Sequence, residues 1–121
     1  MFDHVSITVS NLERSRRFYT AALGPLGITE VMEFEGVVAF GRERPQFWIA
    51  AGQPERASRV HVAFEAATRM EVQAFHRAAL EAGGTDNGAP GVREQYHPQY
   101  YGAFVLDPDG CNVEAVCHRG E

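Results

Sequence analysis

Cysteine is scarce in this sequence. It occurs twice among 121 residues, at Cys111 and Cys117, with neither metal-type nor redox-type spacing. Those two residues argue against a disulfide framework and make a reducing cytoplasm the expected compartment. No apolar run approaches the ~20 residues that a membrane span needs. Met1-Phe2-Asp3-His4 does not open like a secretory signal. Basic clusters are missing too. Eleven Lys and Arg stand against 16 Asp and Glu, a formal net charge of −5, which argues against nucleic acid and anionic membranes as partners. The chain carries no phosphate-cradling glycine loop, dinucleotide fingerprint or nucleophile elbow. What remains is ordinary: 45% hydrophobic and 22% charged residues. That balance excludes a disordered chain and predicts one domain over residues 1–121, or two half-domains around a shared core.

An internal repeat is present. Asp3-His4-Val5-Ser6-Ile7 lies over Val60-His61-Val62-Ala63-Phe64. The same spacing pairs Phe18 with Phe75, Ala21-Ala22-Leu23 with Ala78-Ala79-Leu80, and Gly27 with Gly84. Residues 1–52 and 57–118 therefore read as two copies of one unit. In the first, Val5, Ile7 and Val9 alternate with polar residues as a half-buried strand. Ser10 to Glu13 reads as a capping box with Ser10 as the cap, and a helix runs on to a stop at Gly24-Pro25. The second copy repeats this with a strand from Val60 to Phe64, a box from Thr68 to Glu71, and a stop at Gly83-Gly84.

Short β-prone runs follow each helix: 29–33, 37–40 and 46–50, then a run near 91–95, 100–106 and 112–117. The last two are joined by the type I turn signal Asp107-Pro108-Asp109-Gly110. The predicted fold is α+β, built of two βαβββ units.

Strand alternation puts His4 and His61 on the face that the helices leave bare, with Asn112, Glu114 and Val116 on the same face of the last strand. Two imidazoles and one carboxylate form a set that holds Fe, Mn, Ni or Zn dications and leaves positions open for substrate. Singly, each is an ordinary half-exposed strand residue. A second patch is Tyr96-His97-Pro98-Gln99-Tyr100-Tyr101. Here His97 suits general acid–base work near neutral pH, or serves as a further metal ligand, or belongs to a packed surface loop. Tyr100 and Tyr101 point to opposite faces, so at most one looks into a cavity. His76, His118 and the arginines at 14, 16 and 17 read as solvated.

These residues resemble the vicinal oxygen chelate superfamily of glyoxalases, bleomycin-resistance proteins and extradiol dioxygenases. The resemblance covers nearly the whole chain. It rests on Asp3-His4-Val5 through Arg14-Ser15, on Phe18-Tyr19, and on Asp107-Pro108-Asp109-Gly110-Cys111-Asn112-Val113-Glu114. The 96–104 stretch is similar to one in small members of the superfamily. The resemblance implies sheets curving into a half-barrel around a divalent metal, with His4, His61 and Glu114 at ligand positions, and a homodimer formed side by side or by exchanging units. The family's fourth ligand falls on Trp48, which cannot coordinate, with Gln46 two residues away.

Trp48 and Tyr96 then line a substrate pocket, and His97, Tyr100 or Tyr101 assists proton transfer. The function implied is a metal-dependent lyase, isomerase or thiol transferase acting on a small oxygenated metabolite. The alternatives are a drug-sequestering binding protein and a ring-cleaving Fe(II) dioxygenase.

Overall fold

The computed structural model describes residues 1–120. Along the chain run β1 (Val5–Val9), α1 (Leu12–Leu23), β2 (Thr29–Phe34), β3 (Val37–Gly41) and β4 (Phe47–Ala51). Then come β5 (His61–Glu65), α2 (Arg69–Glu81), β6 (Thr85–Val92), β7 (Tyr101–Leu106) and β8 (Asn112–Cys117). The repeat is real. One sheet has the order β1-β4-β3-β2 and the other β5-β8-β7-β6. In each, the first strand pairs parallel with the last and the other pairings are antiparallel. The fold is α+β with two repeated units and two open sheets. Among the described residues no helix is long and apolar enough to cross a membrane.

The helices bury one face of each sheet. From α1 come Phe18, Tyr19 and Leu23, and from α2 Val72, Phe75 and Ala79. They join Ile7, Val38, Ile49, Val105, Val113 and Ala115 in one buried cluster that spans both units. The residues matched by the repeat, Phe18 and Phe75, are both 0% exposed, each contributing about 1.5–3 kcal/mol by burial. The matched glycines do different work. Gly27 ends a 3-10 turn with φ of 78°, whereas a Cβ on Gly84 would lie 2.4 Å from Val105 Cγ1 and 2.8 Å from Phe18 Cε1.

Several sequence expectations need correction. The cap of α1 is Asn11, whose side chain accepts the Arg14 N–H at 3.0 Å. Ser10 instead binds Asp109, 99 residues away. In α2 the cap is Thr68 as expected, but Glu71 reaches back to the Ala67 N–H at 3.0 Å. The strand expected near 91–95 lies earlier, at Thr85–Val92. Its Asn87-Gly88-Ala89-Pro90-Gly91 composition reads as a turn, yet its edge position in the sheet tolerates a pairing whose register shifts on either side of Gly88. His4 precedes β1 rather than lying within it, and Val5 is 36% exposed rather than tucked under the helix.

Candidate functional site

On the helix-free face of the second sheet, β8 pairs with β5 so that Glu114 lies opposite Ala63 and His61 opposite Asn112. His61 and Glu114 are therefore diagonal neighbours on one face. The Glu114 carboxylate is 1% exposed, and both its oxygens are held. His61 Nε2 lies 2.7 Å from Oε1, and the Tyr100 hydroxyl donates to Oε2. Gly102 makes room for this pair, since a Cβ there would sit 3.3 Å from both Glu114 Oε2 and Tyr100 Cε1. Burial and then the hydrogen bond to Glu114 push the Tyr100 phenol well above its ordinary value. It therefore remains a donor through the neutral range.

Tyr100 ends the 93–100 loop, which is closed by the Arg93 N–H donating to the Tyr100 carbonyl at 2.7 Å. Around its ring stand Tyr96 at 4.8 Å, His97 at 5.5 Å and His118 at 5.4 Å. His97 Nδ1 accepts the Gln99 N–H at 3.0 Å. That fixes the proton of the neutral ring on Nε2, which faces His118 Nδ1 at 2.9 Å. His118 is thus partnered rather than merely solvated. Nothing in the sequence pattern marked the pair, because the two residues come from a loop and a tail. Likewise His76 binds Asp86 at 2.9 Å, Arg16 is forked onto Glu30 at 2.9 and 2.6 Å, and Arg14 reaches Asp109.

Tyr101 turns the other way, as the alternation required. Gln73 Nε2 donates to its hydroxyl at 2.9 Å and the Arg69 guanidinium lies 4.8 Å from its ring centre, so it is on the α2 side and apart from Glu114.

The first sheet carries the counterpart. Trp48 lies opposite Ser6, as Glu114 lies opposite Ala63, so the indole occupies the position in the first unit that the carboxylate occupies in the second. Its ring is parallel to that of Phe34 within 2°, at 6.3 Å, and meets His4 edge-on at 6.4 Å. His4 Nδ1 lies 2.8 Å from Asp3 Oδ1. A crevice of about 230 Å³ between this edge and β5 is lined by Asp3, His4, Gln46, Phe47, Phe64 and Glu65, among others.

The three expected ligands are therefore split. His61 and Glu114 come together, whereas His4 stands on the other sheet with Trp48. Among the described residues no group of three or more His, Cys, Asp or Glu side chains is placed to hold a metal ion. The physical reason is that equivalent positions in a repeat lie in different sheets, and these sheets do not join. The pair that does form has suitable chemistry. Both residue types are metal ligands, and here their nitrogen and oxygen, 2.7 Å apart, are in hydrogen-bond contact with each other.

Comparison with known proteins gives a consistent result. A family model described as Glyoxalase/Bleomycin resistance protein/Dioxygenase superfamily matches residues 1–115. An uncharacterized protein of Bacillus subtilis (strain 168), YqjT, is 28% identical over 130 residues, spanning 93% of this chain and 95% of the relative. The crystal structure of a glyoxalase/bleomycin resistance protein from Albidiferax ferrireducens T118 superposes with a TM-score of 0.84 at 32% identity, over 97% of this chain and 98% of that one. A glyoxalase/bleomycin resistance protein/dioxygenase family enzyme from Burkholderia phytofirmans PsJN shares the fold, with a TM-score of 0.75 at 19% identity over 97% and 98% of the two chains.

Proposed function

The chain belongs to the glyoxalase/bleomycin resistance protein/dioxygenase superfamily, and from that premise we propose that it is a divalent-metal-dependent enzyme whose site is shared between two copies. The observation that supports this reading is Glu114, a carboxylate 1% exposed on a helix-free sheet face. Burying such a charge costs several kcal/mol unless it is matched. Within one chain the match is a half-exposed imidazole and a phenol.

In this reading His61 and Glu114 of one copy, with His4 of the second, hold the cation, of the Zn, Ni, Mn or Fe class. The bound cation supplies Lewis acidity toward two neighbouring oxygens of a small metabolite. The remaining work falls to the protein. Tyr100 orients the carboxylate through Oε2. His97 and His118 at the rim, with a single proton between Nε2 and Nδ1, relay protons to or from a bound substrate. Trp48 and Phe34 of the second copy supply an apolar wall that excludes water. Trp48 offers no lone pair, so the first unit gives the cation no carboxylate at this position. The reaction class is lyase, isomerase or thiol transfer.

A hybrid dimer tests the shared site. His4→Ala and Glu114→Ala variants, each expressed alone, are expected to lose the metal after dialysis. Coexpressed in equal amounts, they regenerate one intact site in each mixed dimer, about a quarter of a metal ion per chain. No retention by the mixture, with full retention by the unaltered protein, overturns sharing. A second reading is favoured by the parallel Trp48 and Phe34 rings: a non-catalytic protein that sequesters a cationic aromatic ligand. It takes precedence if the unaltered dimer retains no metal.

A further inference from the structure

We infer that the crevice between the two units is a binding site for a free α-amino acid with an apolar side chain, its carboxylate taken by Arg42 and its ammonium by Glu65. The inference is independent of the metal reading and uses none of the residues assigned there.

The crevice, of about 230 Å³, is lined by Ile28, Phe40, Phe47 and Phe64 among others. Phe40 and Phe47 are 0% and 3% exposed, and the Phe64 ring meets Phe47 edge-on at 5.1 Å. Phe47 lies in β4 and Phe64 in β5, so both units contribute to one apolar wall. The volume falls below the ~300–1,000 Å³ of pockets for drug-sized molecules. The occupant is therefore small, with a single ring or a branched chain as its apolar part.

Two opposite charges line the same crevice without pairing. Arg42 is forked onto the Leu26 carbonyl, Nε at 3.3 Å and Nη2 at 3.1 Å, and Nη2 also donates to the Glu65 carbonyl at 2.7 Å. Those bonds fix the guanidinium, but carbonyl oxygens carry no formal charge, and Nη1 keeps both of its N–H groups. The last bond sets Arg42 beside the backbone of Glu65. Even so, among the described residues neither the guanidinium nor the Glu65 carboxylate has an ion-pair partner. Arg14, Arg16 and Arg44, by contrast, each meet a carboxylate. The other acid of the crevice, Asp3, is already held by His4 at 2.8 Å and Arg44 at 3.3 Å.

Arg42 and Glu65 also line an adjoining polar crevice with Glu71, His118 and Arg119, which puts them where the apolar space opens. A cation, an anion and an apolar recess match the three parts of an α-amino acid. A simple carboxylate meets repulsion from Glu65, and a simple amine meets repulsion from Arg42, so each partial ligand is rejected by a charge that the zwitterion satisfies. β5 is an edge strand, and the backbone groups it turns away from β8 add donors and acceptors along one side.

The experiment is calorimetric titration of the full chain, in the presence of a chelator, with L-phenylalanine and L-leucine. 3-Phenylpropanoate, which lacks the amine, and phenethylamine, which lacks the carboxylate, are titrated in parallel. The expected result is saturable binding of at least one amino acid, with a dissociation constant of about 1 mM or tighter, and about tenfold or weaker binding of both partial ligands. Glu65→Gln and Arg42→Gln, each checked for folding by circular dichroism, should weaken the amino acid by about 10–100-fold, the range for a hydrogen bond to a charged group. Glu65→Gln is decisive if Arg42→Gln does not fold, because the Glu65 side chain supports no contact in the protein. The exposed-helix control Met70→Ala should bind as the unaltered chain does. No saturable binding of either amino acid overturns the inference, as does equal binding of a partial ligand or full affinity in folded Glu65→Gln. Because the chelator removes metal from every arm, none of these outcomes bears on the metal reading.

Discussion

The Tyr19 hydroxyl donates to Asp107 Oδ2 at 2.5 Å, joining the helix of the first unit to the β7–β8 turn of the second. Both partners are buried, at 1% and 5% exposure. Asp107 also organises its own turn, because Oδ1 accepts the Asp109 N–H at 2.9 Å and the Cys111 N–H at 2.8 Å. Asp109 in turn holds the Ser10 N–H at 3.0 Å. The hairpin that carries Glu114 is thus anchored to α1 and to the residue before its cap. A sequence motif that reads as a simple turn is also a polar joint between the units.

Removing that joint has a defined cost. Tyr19→Phe keeps the ring in the core, where it packs 5.0 Å from both Phe18 and Phe47, and deletes only the donor. A buried carboxylate oxygen left without it costs about 1–3 kcal/mol. Urea unfolding monitored by circular dichroism should show the midpoint falling with the slope unchanged. A loss below about 0.5 kcal/mol, the scatter of ordinary surface substitutions, would show that Asp107 finds another donor.

The same joint makes stability sensitive to alkali. Burial first, then the charge of Asp107, raises the Tyr19 phenol well above its ordinary value of 10.0. Burial likewise raises the Cys111 thiol from 9.0 to about 11. Above the ordinary values the unfolded chain has released protons that the folded chain still holds, so stability falls as pH rises. The contribution of each group is intact below its ordinary value. The urea midpoint is expected to be level near pH 8 and to decline from about pH 9, more steeply above about pH 10. Tyr19→Phe should flatten the upper part of the decline, and Cys111→Ala the lower. An unchanged profile in both variants would remove these two groups as its cause.

Much of the fold was legible because the repeat marks residues with the same structural duty. Ala22 and Ala79, like Phe18 and Phe75, are matched in sequence and equally buried. The register of Trp48 against Ser6 follows from the same comparison. What was not legible depends on contacts distant in sequence. Ser10 looked like a helix cap until Asp109, from the other unit, claimed it. The strand at Thr85–Val92 is held by its pairing with β7 and not by its glycine-rich sequence.

The site divides along the same line. Alternation correctly put His61 and Glu114 on one face, since their strands are neighbours. For His4 it gave a face but not a sheet. Matching places in a repeat mean equivalence, and proximity requires the two sheets to meet. Tyr100 was visible as an aromatic candidate, yet its contact with Glu114 depends on the closure of the 93–100 loop.

The position of Trp48 allows that distinction to be tested from the opposite side. The indole stands where the repeat would put a second Glu114, and it touches His4 on the bare face of the first sheet. Trp48→Glu therefore places a carboxylate beside His4. If the two bare faces meet in a dimer, it also places that carboxylate next to the His61 and Glu114 of the second copy. Metal affinity should then tighten by about tenfold or more, the ~1.4 kcal/mol minimum for one added ligand to register. The comparison is with Trp48→Phe, which keeps an aromatic ring against Phe34 and adds no donor. In a Glu114→Ala background the new carboxylate should restore metal retention, because with His4 and the His61 of the second copy it again makes up two imidazoles and one carboxylate. An equal affinity for Trp48→Glu and Trp48→Phe would mean that the His4 face does not border the cation. His4 would then have to be assigned to the crevice it shares with Gln46 and Phe64.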